Sequence, residues 1–326
     1  MLVLSGKNVL ELLSMENAIQ IITSIMVKVS KGNCILPLRN AVDLGTSNKL
    51  GLMPGALSSG GTYGVKVLSL FPENPSKGLS SHLGLIILFD PLTGIPTAAI
   101  NADAITAIRT AAATAAATNV LSRIDSTCLT LIGTGEQAVA HLKSISLVRN
   151  ISKVEVAGRS FNKSKDFISK NQSEFPQIEF TGHNDIESAV KNSDIICTMT
   201  SSKNVVLRGK FIKKGTHVNA IGASLPIFQE IDSELVLKSK LFVDYIPSAL
   251  AQAKEIIDGI NSRSFTKEHI VGEIGQVFSG SIMGRTTPEE ITLYRSLGVS
   301  AQDLTCAEFV LKKALELEIG IKSDIL

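Results

Sequence analysis

The chain has 326 residues, 44% of them hydrophobic and 19% charged, with a formal net charge of +2. That length and apolar content provide for about two domains and a sizeable core. The charges are scattered in both signs, which implies neither a nucleic-acid surface nor an acidic partner.

No apolar run of about 18 residues occurs, and the start, Met1 to Lys7, lacks the charged opening and long apolar core of a signal peptide. A soluble, cytoplasmic protein with no membrane span is expected. Four cysteines, Cys34, Cys128, Cys197 and Cys306, stand far apart and read as small buried residues in a reducing compartment. The five histidines have no metal-ligand spacing, and no nucleophile elbow or Walker lysine motif is present, so no metal is expected.

In chain order, Met15 to Val29 reads as a helix capped by Ser14, with Glu16 in its first turn. Four short strands come after it, Val42 to Gly45, Lys49 to Pro54, Thr62 to Leu70 and Leu83 to Asp90, each bounded by turn residues. Sequential antiparallel pairing is their cheapest arrangement. Asp90-Pro91-Leu92-Thr93-Gly94 is a hairpin turn in which proline fixes φ and glycine supplies a positive φ. An alanine-rich helix, Ala104 to Ser122, comes next with Asp103 at its N-cap, and connects this first α+β layer to a second domain.

The stretch Thr127 to Ser160 carries the strongest signal. A buried strand, Thr127 to Ile132, runs into Gly133-Thr134-Gly135-Glu136-Gln137-Ala138, then an amphipathic helix, then a strand from Lys153 to Ala157. The first glycine permits the tight turn, the second lets backbone approach a pyrophosphate, and Ala138 permits close helix packing. Phosphate then sits on the positive end of the helix. At the end of the second strand a carboxylate would select NAD, whereas this chain has Gly158-Arg159-Ser160 and then Lys163, groups suited to a 2′-phosphate. NADP(H) is therefore expected over NAD(H).

Beyond this point helices and strands alternate as in a parallel sheet: Lys163 to Asn171, Glu179 to Thr181, Ile186 to Asn192, Ile195 to Thr200, Thr216 to Ile221 and Lys240 to Asp244. Ligands bind beyond the carboxyl ends of such strands, which places Thr198, Met199, Thr200 and Ala220 to Ala223 beside the cofactor. Thr292 to Gly298 leads into a helix, Ala301 to Glu318, which returns to the first domain. The expected division is 1–122 plus 299–326, a substrate-binding domain to which the resemblance given below adds dimerisation, and 123–298, a dinucleotide-binding domain.

A small amino-acid-like substrate calls for a cationic clamp on its carboxylate, and Arg39, Lys66 and Arg109 are the candidates. Lys66 lies in an apolar strand, sharing a face with Gly64 and Leu68, and either points to solvent or sits in a polar cavity. His82, beside Ser80 and Ser81 at the mouth of a strand, either lines a pocket or belongs to a surface loop.

Several segments resemble the ornithine cyclodeaminase and μ-crystallin family: Leu50 to Gly55, Val65-Lys66-Val67, Leu88 to Gly94, Ile105 to Ala112, Gly133-Thr134-Gly135, Gly284-Arg285-Thr286 and Ser296-Leu297-Gly298. The resemblance implies a homodimer formed through a domain built from both chain ends, with a Rossmann-type doubly wound parallel sheet inserted in it. It implies that Arg39, Lys66 and Arg109 contact the substrate, that Ser81 and His82 line its pocket, and that the turn Ser296 to Gly298 closes over the nicotinamide. Members that cyclise ornithine carry Gly-Ala-Asp where this chain has Gly222-Ala223-Ser224, and a hydroxyl cannot replace that carboxylate as a base. The resemblance thus points to NAD(P)H-dependent reduction of a cyclic imino acid, Δ1-pyrroline-2-carboxylate or its six-membered analogue, with Lys66 and Arg109 as the central residues and Ser224 beside the substrate. Ornithine cyclodeaminase, an amino-acid dehydrogenase such as alanine dehydrogenase, and a non-catalytic NADPH- or ligand-binding protein are the alternatives.

Overall fold

Short strands with turn residues between them fill the first part of the chain. The computed structural model, which describes residues 1–45 and 47–324, gives them as β1 (Leu2–Leu4), β2 (Asn40–Asp43), β3 (Lys49–Ala56), β4 (Tyr63–Leu70), β5 (His82–Phe89) and β6 (Pro96–Asn101). Helices α1 (Gly6–Leu12) and α2 (Met15–Ser30) follow β1, and α3 (Ala102–Leu121) follows β6. Ser14 caps α2 as its hydroxyl accepts the Asn17 N–H at 3.2 Å. The cap of α3 is not Asp103. Asn101 takes that place, its side-chain oxygen accepting the Ala104 N–H at 2.9 Å, because the helix begins a residue before Asp103.

The alternation then changes to strand and helix: β7 (Cys128–Ile132), α4 (Glu136–Ser146), β8 (Lys153–Ala157), α5 (Phe161–Asn171), β9 (Glu179–His183), α6 (Ile186–Val190), β10 (Ile195–Thr198) and β11 (His217–Ala220). Next come α7 (Ser233–Lys238), β12 (Lys240–Val243), α8 (Ile246–Gln252), α9 (Lys254–Asn261), β13 (Ile270–Glu273), α10 (Ile274–Phe278) and β14 (Thr292–Arg295). The chain closes with α11 (Ser300–Glu316) and β15 (Ile321–Lys322).

Two compact units result. One is Met1–Thr110 with the chain from Val299 onward, and the other is Ala111–Gly298. The division falls inside α3, ahead of the expected boundary at 122. From Ala111 on, the helix's side chains are engaged in the second unit, where Thr114 bonds His141 at 3.0 Å and Thr118 receives the Asn219 amide at 3.0 Å. Ile325 and Leu326, the end of the expected terminal segment, lie outside the described residues.

In the first unit the sheet runs β15-β1-β6-β5-β4-β3-β2. Strands β2 to β6 pair antiparallel in sequence order, while β1 lies parallel to β6. Helix α11 packs on β3, β4, β5 and α2. Gly64 permits this approach, since a Cβ there would lie 3.1 Å from Leu304 and 2.2 Å from the Ile87 carbonyl oxygen. Both chain ends therefore complete this unit.

The second unit is an all-parallel sheet, β13-β12-β14-β11-β10-β7-β8-β9. Leu129, Leu131, Val154 and Val156 face one core with Ala138 and Leu142 of α4. Ile132, Ile196 and Val218 face another with Leu235 and Ile256. One core on each face makes the sheet doubly wound, and the strand order reverses between β7 and β10, where ligands of such sheets bind. Cys128, Cys197 and Cys306 are buried as expected, whereas Cys34 is only half-buried, in a loop with its thiol on the Leu57 carbonyl. Among the described residues no single helix is long and apolar enough to cross a membrane, and no group of three His, Cys, Asp or Glu is placed to hold a metal ion.

Candidate active site

The glycine-rich turn stands at the reversal point. Gly133 has φ +115° and donates its N–H to the Ala157 carbonyl at 2.9 Å. A Cβ there would lie 2.8 Å from the Met199 carbonyl oxygen. Glycine is thus required twice, for the positive φ and for the close approach. Gly135 is the N-cap of α4, and nothing lies within 4 Å of where its Cβ would be. No side chain caps this helix, whereas Ser14, Asp185 and Asp232 cap α2, α6 and α7. An open cradle at an uncapped helix start fits a pyrophosphate. Ala138 is buried against the sheet, and Gln137 presents a buried side-chain oxygen with no hydrogen-bond partner among the described residues.

Gly158 packs on Thr134, a Cβ at that position falling 3.2 Å from the threonine methyl. Arg159, Ser160 and Lys163 are exposed beside it, and Ser160 is the N-cap of α5 without a side-chain cap bond. The carboxylate of β8, Glu155, is engaged elsewhere, bonded to His183 at 2.6 Å. The predicted cofactor residues therefore gather at the carboxyl edge of the parallel sheet: Gly133 to Ala138, Gly158 to Lys163, and Thr198 to Thr200 after β10.

Two carboxylates that sequence reading missed hold this edge together. Glu230, 1% exposed, accepts from the Thr198 hydroxyl at 2.9 Å, the Thr200 N–H at 2.6 Å, the Thr200 hydroxyl at 2.8 Å and the Gly222 N–H at 2.7 Å. Burial raises its pKa above the ordinary carboxylate value, against the pull of those bonds. Asp244 accepts from the Leu297 N–H at 2.7 Å and the Gly298 N–H at 2.5 Å, fixing the turn after β14 in which Ser296 is buried. Below the half-buried Ser224, Arg295 pairs with Glu255 in the interior and donates to the carbonyls of Ala220 and Ala223. The available signal was a carboxylate ending an apolar run, as in Leu241-Phe242-Val243-Asp244.

In the first unit, alternation along β4 puts Lys66 on the α11 side of the sheet, 2% exposed. Its ammonium donates to Asp303 Oδ1 at 2.8 Å and to the Thr106 hydroxyl at 3.4 Å. Arg109 donates from Nε to the same Asp303 oxygen at 2.9 Å and from Nη1 to Gln302 at 3.0 Å. Lys66 therefore does not point to solvent: it is buried in a polar, ion-paired cluster.

Burial first, and then the charges of Arg109 and Arg39, lower the Lys66 pKa to about 8 against the opposing pull of Asp303. Asp303 is itself held below the ordinary carboxylate range by Arg109 and Lys66, which overcome its burial. Two cations, Lys66 and Arg109, share one carboxylate, and that excess of positive charge attracts an anion. Arg39, half-buried, belongs to this cluster through its charge. Ser81 and His82 do not: Lys66 pairs with Ile86, and His82 stands four residues along β5, at about 3.3 Å each. There the Ser81 hydroxyl bonds His82 Nδ1 at 2.9 Å.

A doubly wound parallel sheet with a glycine cradle, in a chain whose other unit bears a buried cation cluster, defines a Rossmann-type oxidoreductase architecture. The family model described as "Ornithine cyclodeaminase/mu-crystallin family" matches residues 1–318, and the chain belongs to that family. Over 326 aligned residues, 99% of this chain and 100% of the relative, it is 32% identical to Delta(1)-pyrroline-2-carboxylate reductase of Bacillus cereus. The solved Delta(1)-pyrroline-2-carboxylate reductase of Thermococcus litoralis, in complex with NADH and L-proline, is 34% identical with a TM-score of 0.95, covering 99% of this chain and 100% of that one. An archaeal alanine dehydrogenase dimer with bound NAD is 30% identical with a TM-score of 0.93, covering 100% and 99%.

Proposed function

We propose that this chain reduces a cyclic imino acid, Δ1-pyrroline-2-carboxylate to L-proline, with a nicotinamide dinucleotide as hydride donor. Full-length likeness to reductases of that substrate supports the reaction. The observation in this chain that carries the reading is the buried Lys66–Asp303–Arg109 cluster.

The bound dinucleotide supplies the hydride, and the chain's own residues do the rest. Gly133 to Ala138 hold the pyrophosphate on the start of α4, and Thr198 to Thr200 with the Ser296 to Gly298 turn border the dinucleotide. Arg39, Lys66 and Arg109 take the substrate carboxylate and fix its orientation. That converts binding into proximity and offsets charge at the reacting carbon. Where ornithine-cyclising members carry an aspartate this chain has the neutral Ser224, so that carboxylate is missing as a base for an ammonium, and reduction is favoured over ornithine cyclisation.

NADP(H) over NAD(H) is the finer reading. Arg159, Ser160 and Lys163 are exposed after the end of β8, groups suited to a 2′-phosphate, and Glu155 is occupied by His183. The T. litoralis relative holds NADH, so the preference is a property to measure in this chain. Met1–Thr110 with the C-terminal segment is read as the substrate and dimerisation domain. A second copy covers its apolar sheet face, where Leu52, Val67 and Leu85 lie in register and Leu83 and Leu85 are 42% and 47% exposed.

The test is oxidation of NADPH and of NADH with Δ1-pyrroline-2-carboxylate, beside NAD with L-ornithine and with L-alanine. Imine-dependent oxidation, faster with NADPH, is expected. Ammonia release from ornithine, or oxidation of alanine without imine reduction, would replace this reading with a cyclodeaminase or a dehydrogenase, and tight dinucleotide binding without turnover would leave a binding protein.

A further inference from the structure

Asp303 lies in the first turn of α11 and is fully buried. One of its oxygens receives Lys66 from β4 and Arg109 from α3, and the other has no hydrogen-bond partner among the described residues. Its neighbour Gln302 receives the second Arg109 nitrogen, with its own amide on the Met26 sulfur at 3.4 Å. A lysine side chain has many rotamers, and nothing on β4 itself selects one; the carboxylate on α11 does. The charged and titratable groups facing Lys66 are Asp303 of α11, Arg109 of α3 and Arg39 of the segment after Pro37. Cys306, one turn further along α11, stays a thiol because burial and Asp303 both push its pKa up.

We propose that Asp303 is a positioning residue of the reduction: it keeps Lys66 charged and aimed, so that the Lys66 ammonium delivers the proton that the imine nitrogen takes up. This rests on the reductase reading above. As hydride reaches the imine carbon, the C=N π pair becomes the new N–H bond and one Nζ–H bond of Lys66 breaks. The products are the ring amine, the oxidised dinucleotide and a neutral Lys66, which regains its proton from solvent. Asp303 remains a carboxylate throughout. Burial and two guanidinium charges pull Lys66 toward its neutral form, and Asp303 is the group that opposes them. An acid with a pKa of about 8 is both charged and able to give up its proton near neutral pH.

The experiment is kcat/KM for the imine against pH in the full-length protein and in Asp303→Asn, which keeps the side-chain shape. Because Lys66 must be charged, activity is lost as pH rises through its pKa. Removing Asp303 lowers that pKa, so the alkaline limb moves down by about one pH unit or more. The titration of the imine itself is common to both proteins and cancels. A uniform loss at every pH, as a structural defect would give, or an unmoved limb overturns the proposal.

If Asp303→Asn does not fold, Lys66→Arg decides. A guanidinium cannot release its proton in this range, so kcat falls about 100-fold, KM stays within about threefold, and the alkaline limb disappears. Wild-type turnover and limb in Lys66→Arg overturn the proposal. A wild-type protein that oxidises no dinucleotide with imine refutes the reductase reading itself. One that turns over, with a limb that Asp303→Asn leaves in place, refutes only the role of Asp303.

Discussion

Replacing Glu230 by alanine tests whether the carboxyl edge of the parallel sheet is built as described. Its carboxylate accepts four hydrogen bonds, two from backbone N–H groups of Thr200 and Gly222 and two from threonine hydroxyls. The hydroxyls can turn to other acceptors, but the two N–H groups cannot. An orphaned buried donor costs about 1–3 kcal/mol, which gives about 2–6 kcal/mol for the pair. Part is recovered because the alanine variant no longer buries a carboxylate, whose cost shows in the raised Glu230 pKa; a net loss of about 2–4 kcal/mol is expected. Glu230→Gln retains one acceptor and loses about half as much.

The loops released by this change carry the Met199 carbonyl that packs against Gly133, so dinucleotide affinity should fall as well, by about tenfold. Urea unfolding gives the stability change and isothermal titration with NADPH and NADH gives the affinity. A loss below about 0.5 kcal/mol in Glu230→Ala with unchanged affinity would refute the reasoning.

The other expected outcomes concern the turn, the adenosine end and pH. Gly133→Ala, at φ +115° and with its Cβ 2.8 Å from the Met199 oxygen, should destabilise by about 1–3 kcal/mol and weaken dinucleotide binding, read by thermal shift with and without dinucleotide. Arg159→Ala should reduce the ratio of NADPH to NADH affinity by about tenfold while leaving NADH binding nearly unchanged, measured by titration with each. Burial lowers the pKa of His141 to about 4 and of His217 to about 3. Both imidazoles are therefore neutral in the folded state and charge more readily when unfolded, so stability falls as pH drops below about 6.5. At about pH 5 the two together remove about 4 kcal/mol relative to about pH 8, and His141→Gln should halve the acid slope of the urea midpoint.

Features that depend on neighbours along the chain could be read from the residues directly. The strand, glycine turn and helix from Cys128 to Ser146 were legible because a tight turn, a close backbone approach and a small residue for packing each leave a residue type at fixed spacing. The cations Lys66 and Arg109 stood out because a charge in an apolar strand or helix is costly to bury, but alternation along the strand left Lys66 open between solvent and interior. Ala104 to Ser122 was read as a helix to within two residues at its start, but its cap was misplaced, since Asn101 and Asp103 are both good caps and only the end of β6 decides between them.

What tertiary structure alone decided is the counterpart of each charge. Asp303 lies 237 residues from Lys66 and 194 from Arg109, and Glu230 lies 32 and 30 residues from the two threonines it ties. No periodicity or local spacing links such positions. Their pairing results from α11 returning to the first sheet and from β10 and β11 lying side by side. A buried charge must find its partner wherever the fold brings one, and that choice is made in three dimensions.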